Sequence, residues 1–135
     1  MALLTWSDEY SVGVDAMDDQ HKEMIDLLNQ LYEAMMANRA LEVTGPLLSR
    51  LVDYCQGHFV AEENLMVKLG YPGLETHRAR HRQLVDQVNE QVRHYEHEDL
   101  FVPIQLLHFL GDWVATHIQK EDKDYGPWLN KNGVR

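Results

Sequence analysis

Residues 47–69 read LLSRLVDYCQGHFVAEENLMVKL, and most of their apolar side chains recur every three or four positions. That spacing is typical of one face of an α-helix and not of a β-strand. The face comprises Leu48, Leu51, Val52, Cys55, His58, Phe59, Glu62 and Met66. Two polar residues, His58 and Glu62, therefore lie on the side of the helix that is expected to face the protein interior.

Capping and breaking residues predict where the first two helices begin and end. Asp18 is predicted to cap a first helix that runs to about Asn38. One stripe of that helix is formed by His21, Met24, Ile25, Leu28, Leu31 and Met35. The second helix, quoted above, is predicted to begin at Gly45-Pro46, since proline suits a first turn. It is predicted to stop near the breaker cluster at residues 70–73, Gly-Tyr-Pro-Gly.

Two more helices complete the pattern. The third is predicted to begin near Leu74, and its apolar face carries His77, His81, Leu84, Val85, Val88 and Val92. The acidic, histidine-rich residues 94–99 are expected to lead from it into a turn. The fourth is predicted to open around Pro103 and to align Ile104, Leu107, Gly111, Val114, His117 and Ile118. Gly126-Pro127 is expected to end any helix.

Helices of this length joined by short connections favour antiparallel neighbours. We therefore expect an all-α protein with an antiparallel up-down-up-down four-helix bundle. The first seventeen residues, including Trp6 and Tyr10, are expected to form an irregular N-terminal arm folded over one end of the bundle. Residues 1–135 would form a single domain, because a chain of this length can bury one sizeable core.

Composition narrows the classes of function. The 135 residues include 12 Lys and Arg against 22 Asp and Glu, a formal net charge of −10, so nucleic-acid binding is not expected. A single cysteine, Cys55, cannot form an intrachain disulfide, which fits a reducing compartment. Neither a signal peptide nor a membrane-spanning segment is evident. We expect a soluble, cytoplasmic, monomeric protein that does not insert into membranes.

Each predicted apolar stripe is interrupted by residues that disfavour burial. These residues are His21, His58, Glu62, His77, His81 and His117. Buried carboxylates are rare unless they are paired or bound to metal. Since the inward stripes contain no lysine or arginine, a cation from outside the sequence is the natural partner for Glu62.

Spacing indicates which groups can share that cation. His58 with Glu62, and His77 with His81, are i,i+4 pairs on one helical face. His21 lies early in the first helix and His117 late in the fourth, so antiparallel threading brings all four helices' polar residues to the same end of the bundle. This coincidence indicates a metal site.

Each signal alone also has an ordinary structural explanation. A lone His-x-x-x-His or His-x-x-x-Glu is usually a solvated surface pair, and His117 could be a hydrogen-bonded core residue. Other polar side chains are expected to have no part in a metal site. His94, His97 and Glu63 are predicted to be solvated, His108 to lie too far from His117, and Cys55 to be a small core residue.

The chain resembles the hemerythrin family, in particular its single-domain bacterial members. The matching strings are DDQH at 18–21, HFVAEE at 58–63, YP at 71–72 followed by HRARH at 77–81, and HIQKED at 117–122. Trp6 with Val-Gly-Val at 12–14 is also similar to the family's arm. The resemblance extends from Trp6 to about Trp128, which is nearly the whole chain.

The resemblance implies a non-haem di-iron site. One iron would be held by His77, His81 and His117, and the other by His21 and His58. Glu62 and Asp122, with an oxide or hydroxide, would bridge the two irons. On a regular helix Asp122 would lie about 140° from His117. If both bind one cluster, a π-like or frayed turn is expected between them.

This ligand set suits reversible binding of dioxygen. The ligands and the bridge fill all but one of the roughly twelve positions of two six-coordinate irons, and the vacancy lies on the two-histidine iron. In the family, dioxygen is held there as hydroperoxide. The dry wall of the dioxygen pocket is expected to comprise Met24, Ile25, Phe59, Trp113, Val114 and Ile118.

A carrier, store or local supplier of oxygen is therefore the leading hypothesis, and an enzyme is not expected. Ferritin-like oxidases use more carboxylates than this site would offer. A di-iron oxidase, a peroxidase, a nitric-oxide-handling enzyme and a sensor acting through a separate partner stay open as alternatives. Zinc or manganese as the loaded metal, and a protein recipient of the oxygen, also stay open.

Overall fold

Four long helices dominate the chain. The computed structural model describes residues 3–37, 41–98 and 104–135. Its long helices are α1 (Asp15–Met36), α2 (Leu41–Leu69), α3 (Leu74–Glu98) and α4 (Ile104–Thr116). Shorter elements are 3₁₀ turns at Asp8–Tyr10 and Asp122–Asp124, a π-helical turn at His117–Glu121, and α5 (Gly126–Lys131). Since α1 and α3 each pack against α2 and α4, the predicted all-α, up-down-up-down four-helix bundle is confirmed.

Two of the predicted helix starts are wrong. Asp18 does not cap α1, which begins three residues earlier after Val14. The Asp18 carboxylate instead accepts hydrogen bonds from the Ser11 hydroxyl at 2.6 Å and the Val12 amide at 2.8 Å. α2 begins before Gly45-Pro46, at Leu41, and Pro46 lies inside the helix. As the sixth residue of α2, Pro46 lies beyond the first turn and cannot donate the i→i−4 hydrogen bond of a regular helix.

The predicted helix ends are right at one boundary and wrong at two. α2 ends at Leu69, before Gly70, whose φ of 69° suits a residue without a side chain. α3 continues to Glu98, so the loosening predicted from residue 94 is wrong. Gly126-Pro127 begins α5 and does not end the helical region, since proline fits a first turn. The predicted boundaries at Asn38 and Pro103 lie outside the described residues.

The N-terminal arm is shorter than predicted, because α1 already begins at Asp15. The side-chain amide of Asn29 holds it along α1: its oxygen accepts from the Leu3 and Leu4 amides, and its nitrogen donates to the Leu4 carbonyl at 2.7 Å. Asn130 of α5 donates to the Gly13 carbonyl at 2.8 Å. The arm thus links the start of α1 to the C-terminal end of the chain.

Apolar side chains fill the interior of one half of the bundle, and polar side chains lie at the centre of the other half. Fully buried side chains fill the first, among them Leu28, Leu31, Leu48, Leu51, Leu107 and Leu110. The histidines on each helix lie toward the other half. Among the described residues, no helix is both long and apolar enough to cross a membrane.

Gly126 is predicted to be essential for the packing of the arm, because a Cβ there would overlap the carbonyl oxygen of Val12. Gly126→Ala should lower the free energy of unfolding by about 1–3 kcal/mol, the usual cost of overpacking. Urea denaturation followed by circular dichroism measures this change. Gly57→Ala is the matched control, since a Cβ at Gly57 meets nothing within 4 Å. In the middle of α2 it should stabilise the protein, and equal effects of the two changes would contradict the expectation.

Candidate metal centre

The structure brings all seven predicted ligand residues into one buried cluster. Each of them is at most 3% exposed, although all are polar or charged. The set consists of His21, His58, Glu62, His77, His81, His117 and Asp122. It lies between the four helices at one end of the bundle, as the antiparallel threading predicts.

Asp122 joins the cluster because the fourth helix changes its winding. At the end of α4 the backbone forms a π-helical turn over His117–Glu121. The Asp122 amide donates to the His117 carbonyl, an i→i+5 hydrogen bond. Residues five apart therefore lie about one turn apart on one face. His117 Nε2 and Asp122 Oδ1 are 3.0 Å apart, and the predicted distortion of the helix is confirmed.

The two oxygens of the Glu62 carboxylate lie next to two different groups of histidines. Oε1 lies 3.2 Å from His81 Nε2 and 3.5 Å from His77 Nε2. Oε2 lies 3.3 Å from His58 Nε2 and 3.6 Å from His21 Nε2. One side chain thus faces both groups.

The Asp122 carboxylate is divided in the same way. Oδ1 lies 3.1 Å from His77 Nε2, on the side of the three-histidine group. Oδ2 lies 2.8 Å from His21 Nε2 and 3.9 Å from His58 Nε2. Two sets of donor atoms, each within 4.8 Å of one another, therefore share both carboxylates. The larger set adds His77, His81 and His117, and the smaller adds His21 and His58.

The donor atoms fit metal ions better than they fit one another. Nε2 of His77, Nε2 of His81 and both oxygens of Asp122 are buried without a hydrogen bond within the described part of the chain. Buried polar atoms normally have partners, so four such atoms around one point fit a site that binds a cation. Imidazole and carboxylate groups are ligands that iron, manganese and zinc accept.

The charges of the metal-free cluster depend on the same contacts. Burial alone would lower the pKa of His58, but the Glu62 and Asp122 carboxylates outweigh it and raise that pKa to about 9. The pKa of His77 also rises to about 9 against the effect of burial, because of Asp122 and Glu62. Burial would raise the pKa of Glu62, yet the surrounding histidines, His58 foremost, hold it well below its usual value.

Three polar residues that contact the cluster were missed or misjudged from the sequence. Gln20 Oε1 lies 2.6 Å from His58 Nδ1. The buried Tyr125 hydroxyl donates to Glu62 Oε2 at 2.5 Å. The prediction that Glu63 is solvated is wrong, since Arg78 Nε donates to its Oε1 at 3.0 Å and His81 Nδ1 lies 3.4 Å from its Oε2. Only Glu63 had a sequence signal, because it lies five residues after His58 and next to Glu62.

Among the described residues, His108 and Cys55 lie outside both sets of donor atoms. His108 is exposed on α4. Cys55 is buried, and burial raises the pKa of its thiol to about 12, so it stays protonated as a core residue. The predictions for the side chains of His94 and His97 lie outside the described residues.

The six predicted pocket residues are all buried, and two of them contact histidine rings of the cluster. Their exposed fractions run from 0% for Met24 to 7% for Trp113. Phe59 stacks on His81 with ring centres 4.0 Å apart, and Trp113 stacks on His117 at 5.7 Å. Ile25, Val114 and Ile118 belong to the same apolar core. The apolar side chains thus also fix the orientation of two histidine rings.

Comparison with known proteins agrees with this geometry. The hemerythrin HHE cation binding domain family matches residues 12–129. The chain belongs to the hemerythrin family. The match leaves out residues 1–11, which are most of the arm, and residues 130–135, which include the last two residues of α5.

The alignments with similar hemerythrins span the part of the chain that contains the whole cluster. The bacteriohemerythrin of Methylococcus capsulatus is 36% identical over 131 residues, which are 96% of this chain and 99% of that protein. The bacteriohemerythrin of Stenotrophomonas maltophilia is 35% identical over 93% of this chain and 80% of that protein. The crystal structure of a wild-type hemerythrin is similar with a TM-score of 0.86 at 35% identity, over 93% of this chain and 97% of that one.

Metal loading is predicted to release protons. His58 and His77, with pKa values of about 9 in the metal-free cluster, are protonated at neutral pH and must lose those protons to bind metal. For two released protons, the apparent association constant should rise up to about a hundredfold per pH unit and level off above about pH 9. Anaerobic calorimetry with ferrous iron at pH 7 and pH 8, in buffers of different protonation enthalpy, measures the association constant and the number of protons released. An affinity that does not change with pH would contradict the expectation.

Proposed function

We propose that this protein binds dioxygen reversibly at a pair of irons held in the buried cluster. His77, His81 and His117 would hold one iron, and His21 and His58 the other. Glu62 and Asp122 would bridge the two. When bound, a diferrous pair supplies the electrons and the open coordination position that dioxygen requires.

The division of the two carboxylates is the observation that carries this proposal. Glu62 and Asp122 each present one oxygen to the three-histidine group and the other to the two-histidine group. Such an arrangement suits two metals bridged by carboxylates and not one metal ion. The smaller group has one imidazole fewer, so an open coordination position would fall on the metal that His21 and His58 would hold.

The surrounding side chains keep the centre dry. Met24, Val114 and Ile118 are completely buried, and Ile25 and Phe59 are 3% exposed. Apolar walls exclude water, and that protects a reactive centre from hydrolytic side reactions. The Tyr125 hydroxyl donates a hydrogen bond to Glu62 Oε2, and burial with the nearby carboxylates raises the pKa of Tyr125 well above the usual value. This phenol therefore stays protonated and orients the carboxylate.

Binding without turnover is the activity that these residues favour. Five neutral imidazoles accompany two carboxylates, whereas ferritin-like bundles surround their metals with a larger number of carboxylates. A less anionic ligand set gives less support to the strongly oxidised iron that oxidases need. The names of the bacterial relatives, bacteriohemerythrin, point to the same class.

A cycle of oxygenation and deoxygenation tests the proposal. The protein is loaded anaerobically with two ferrous ions per chain, exposed to air, recorded by visible spectroscopy and then sparged with argon. A coloured form that bleaches and returns over several cycles without added reductant is expected. Steady consumption of reductant, or no spectral change, would overturn the proposal.

Ligand variants connect that result to the cluster. His77→Leu should reduce the iron content to one ion per chain or less, since it removes one imidazole from the larger group. His108→Leu is the matched control, because His108 is an exposed histidine away from the cluster. Equal iron content in the two variants would contradict the assignment of His77.

Met24 is expected to limit the lifetime of the oxygenated form. It lies three residues after His21 and is completely buried, so Met24→Ala would open space for water next to the smaller group. Loss of the oxygenated spectrum should be several-fold faster than in the parent protein. Leu48→Ala, at a buried position about 15 Å of helical rise from His58, is the control for general loosening of the core. Similar decay rates in the two variants would contradict a local role of Met24.

A further inference from the structure

Two histidines of the cluster are backed by side chains of different charge. His58 Nδ1 faces the amide oxygen of Gln20 and His81 Nδ1 faces a carboxylate oxygen of Glu63. Both oxygens can only accept, so Nδ1 carries a proton on each ring. His58 Nδ1 donates to the neutral amide oxygen of Gln20, whereas His81 Nδ1 donates to the carboxylate of Glu63. The two metal positions therefore differ in more than their number of imidazoles.

We propose that Glu63 is a positioning residue that makes the three-histidine position the more strongly ferric-stabilising of the two. The proposal rests on the proposed function, since it takes iron to be the metal at both positions. Glu63 acts through His81: it fixes the ring and increases the electron donation of its Nε2 atom. Carboxylate partners have this effect on metal-bound imidazoles in general.

Glu63 is held in place for this role. Its Oε1 accepts from Arg78 Nε at 3.0 Å, which leaves Oε2 for His81. Arg78 in turn donates through Nη1 to Glu75 at 2.9 Å. Glu75, Arg78 and His81 follow one another at intervals of three residues on α3, and Arg78 and His81 both contact Glu63 of α2.

The two glutamates that contact Arg78 differ in how far their side chains are buried. The side chain of Glu63 is 19% exposed and that of Glu75 is 76% exposed. A charge near the protein interior is screened less by water and salt than an exposed one. Glu63 therefore acts on His81 directly, and water and salt screen its charge only weakly. Glu75 stabilises only the position of Arg78.

The ring of His81 is also fixed from its face. Phe59 stacks on it with an interplanar angle of 16°. Phe59 and Glu63 are four residues apart on α2, so this helix supplies both the stacking surface and the proton acceptor. His81 is thus held at its face and at its Nδ1 edge by one neighbouring helix.

A diamagnetic form of the protein tests the contact itself. We expect the ¹⁵N resonance of His81 Nδ1 in zinc-loaded protein to shift in Glu63→Gln, because an amide accepts the proton more weakly than a carboxylate. Glu75→Gln is the matched control: it removes the same charge from the same arginine without touching His81. A His81 resonance that is unchanged in Glu63→Gln, or changed equally in both variants, would overturn the proposal.

The redox consequence is tested on iron-loaded protein without dioxygen. Glu63→Gln should weaken ferric relative to ferrous binding about tenfold. This would raise the midpoint potential for the first oxidation of the diferrous centre by about 59 mV. Glu75→Gln should leave the potential unchanged, and Gln20→Glu should lower the potential of the other iron. Equal potentials in the parent protein and Glu63→Gln overturn the proposal.

If Glu63→Gln does not fold, Gln20→Glu tests whether a carboxylate partner shifts the midpoint potential. An unchanged potential in Gln20→Glu then overturns the proposal. The outcome stays separate from that of the proposed function. A protein that loads two metals but does not release dioxygen contradicts the function alone, since neither measurement here uses dioxygen.

Discussion

Complete burial of two carboxylates among five imidazoles is the constraint on which this structure depends. Glu62 and Asp122 are at most 1% exposed, and neither pairs with lysine or arginine in the part of the chain described. An ionised carboxylate in such surroundings costs several kcal/mol unless positive charge is close. Protons on His58 and His77 supply that charge in the metal-free protein, and metal ions can replace them. The cluster is therefore balanced in both states, and the exchange of protons for metal couples loading to pH.

The irregular backbone is concentrated near these carboxylates. The π-helical turn, the 3₁₀ turn and α5 follow one another from His117 to Lys131, whereas α1, α2 and α3 are long and continuous. A regular continuation of α4 would turn Asp122 away from His117. The turn has a second consequence: it brings Tyr125 to Glu62 and Gly126 against the N-terminal arm. The arm, the last helix and the site are thus mechanically connected through a few residues.

Periodicity predicted the helices and the six polar residues on their inward faces, because burial of one helical face leaves a strong pattern. Asp122 came from the family resemblance alone, since its place depends on a departure from the regular helix. The prediction that Asp18 caps α1 was wrong because its carboxylate accepts hydrogen bonds from the arm. Local helix propensity does not predict such a contact between two segments. Gln20 and Tyr125 were missed for the same reason. Their function is a hydrogen bond to another helix, and nothing in their own spacing indicates it.

Residues 58–63 on α2 contact both sides of the centre. His58 belongs to the smaller group, Glu62 lies between the two groups, and Phe59 and Glu63 both support His81. Rigid contacts accumulate on the three-histidine side, where ring stacking and a carboxylate fix the ligands. The two-histidine side has fewer ligands, and on that side a neutral amide contacts His58. The proposed binding of a small ligand at one of two metals would use this asymmetry, and residues 58–63 of α2 contribute to both sides of it.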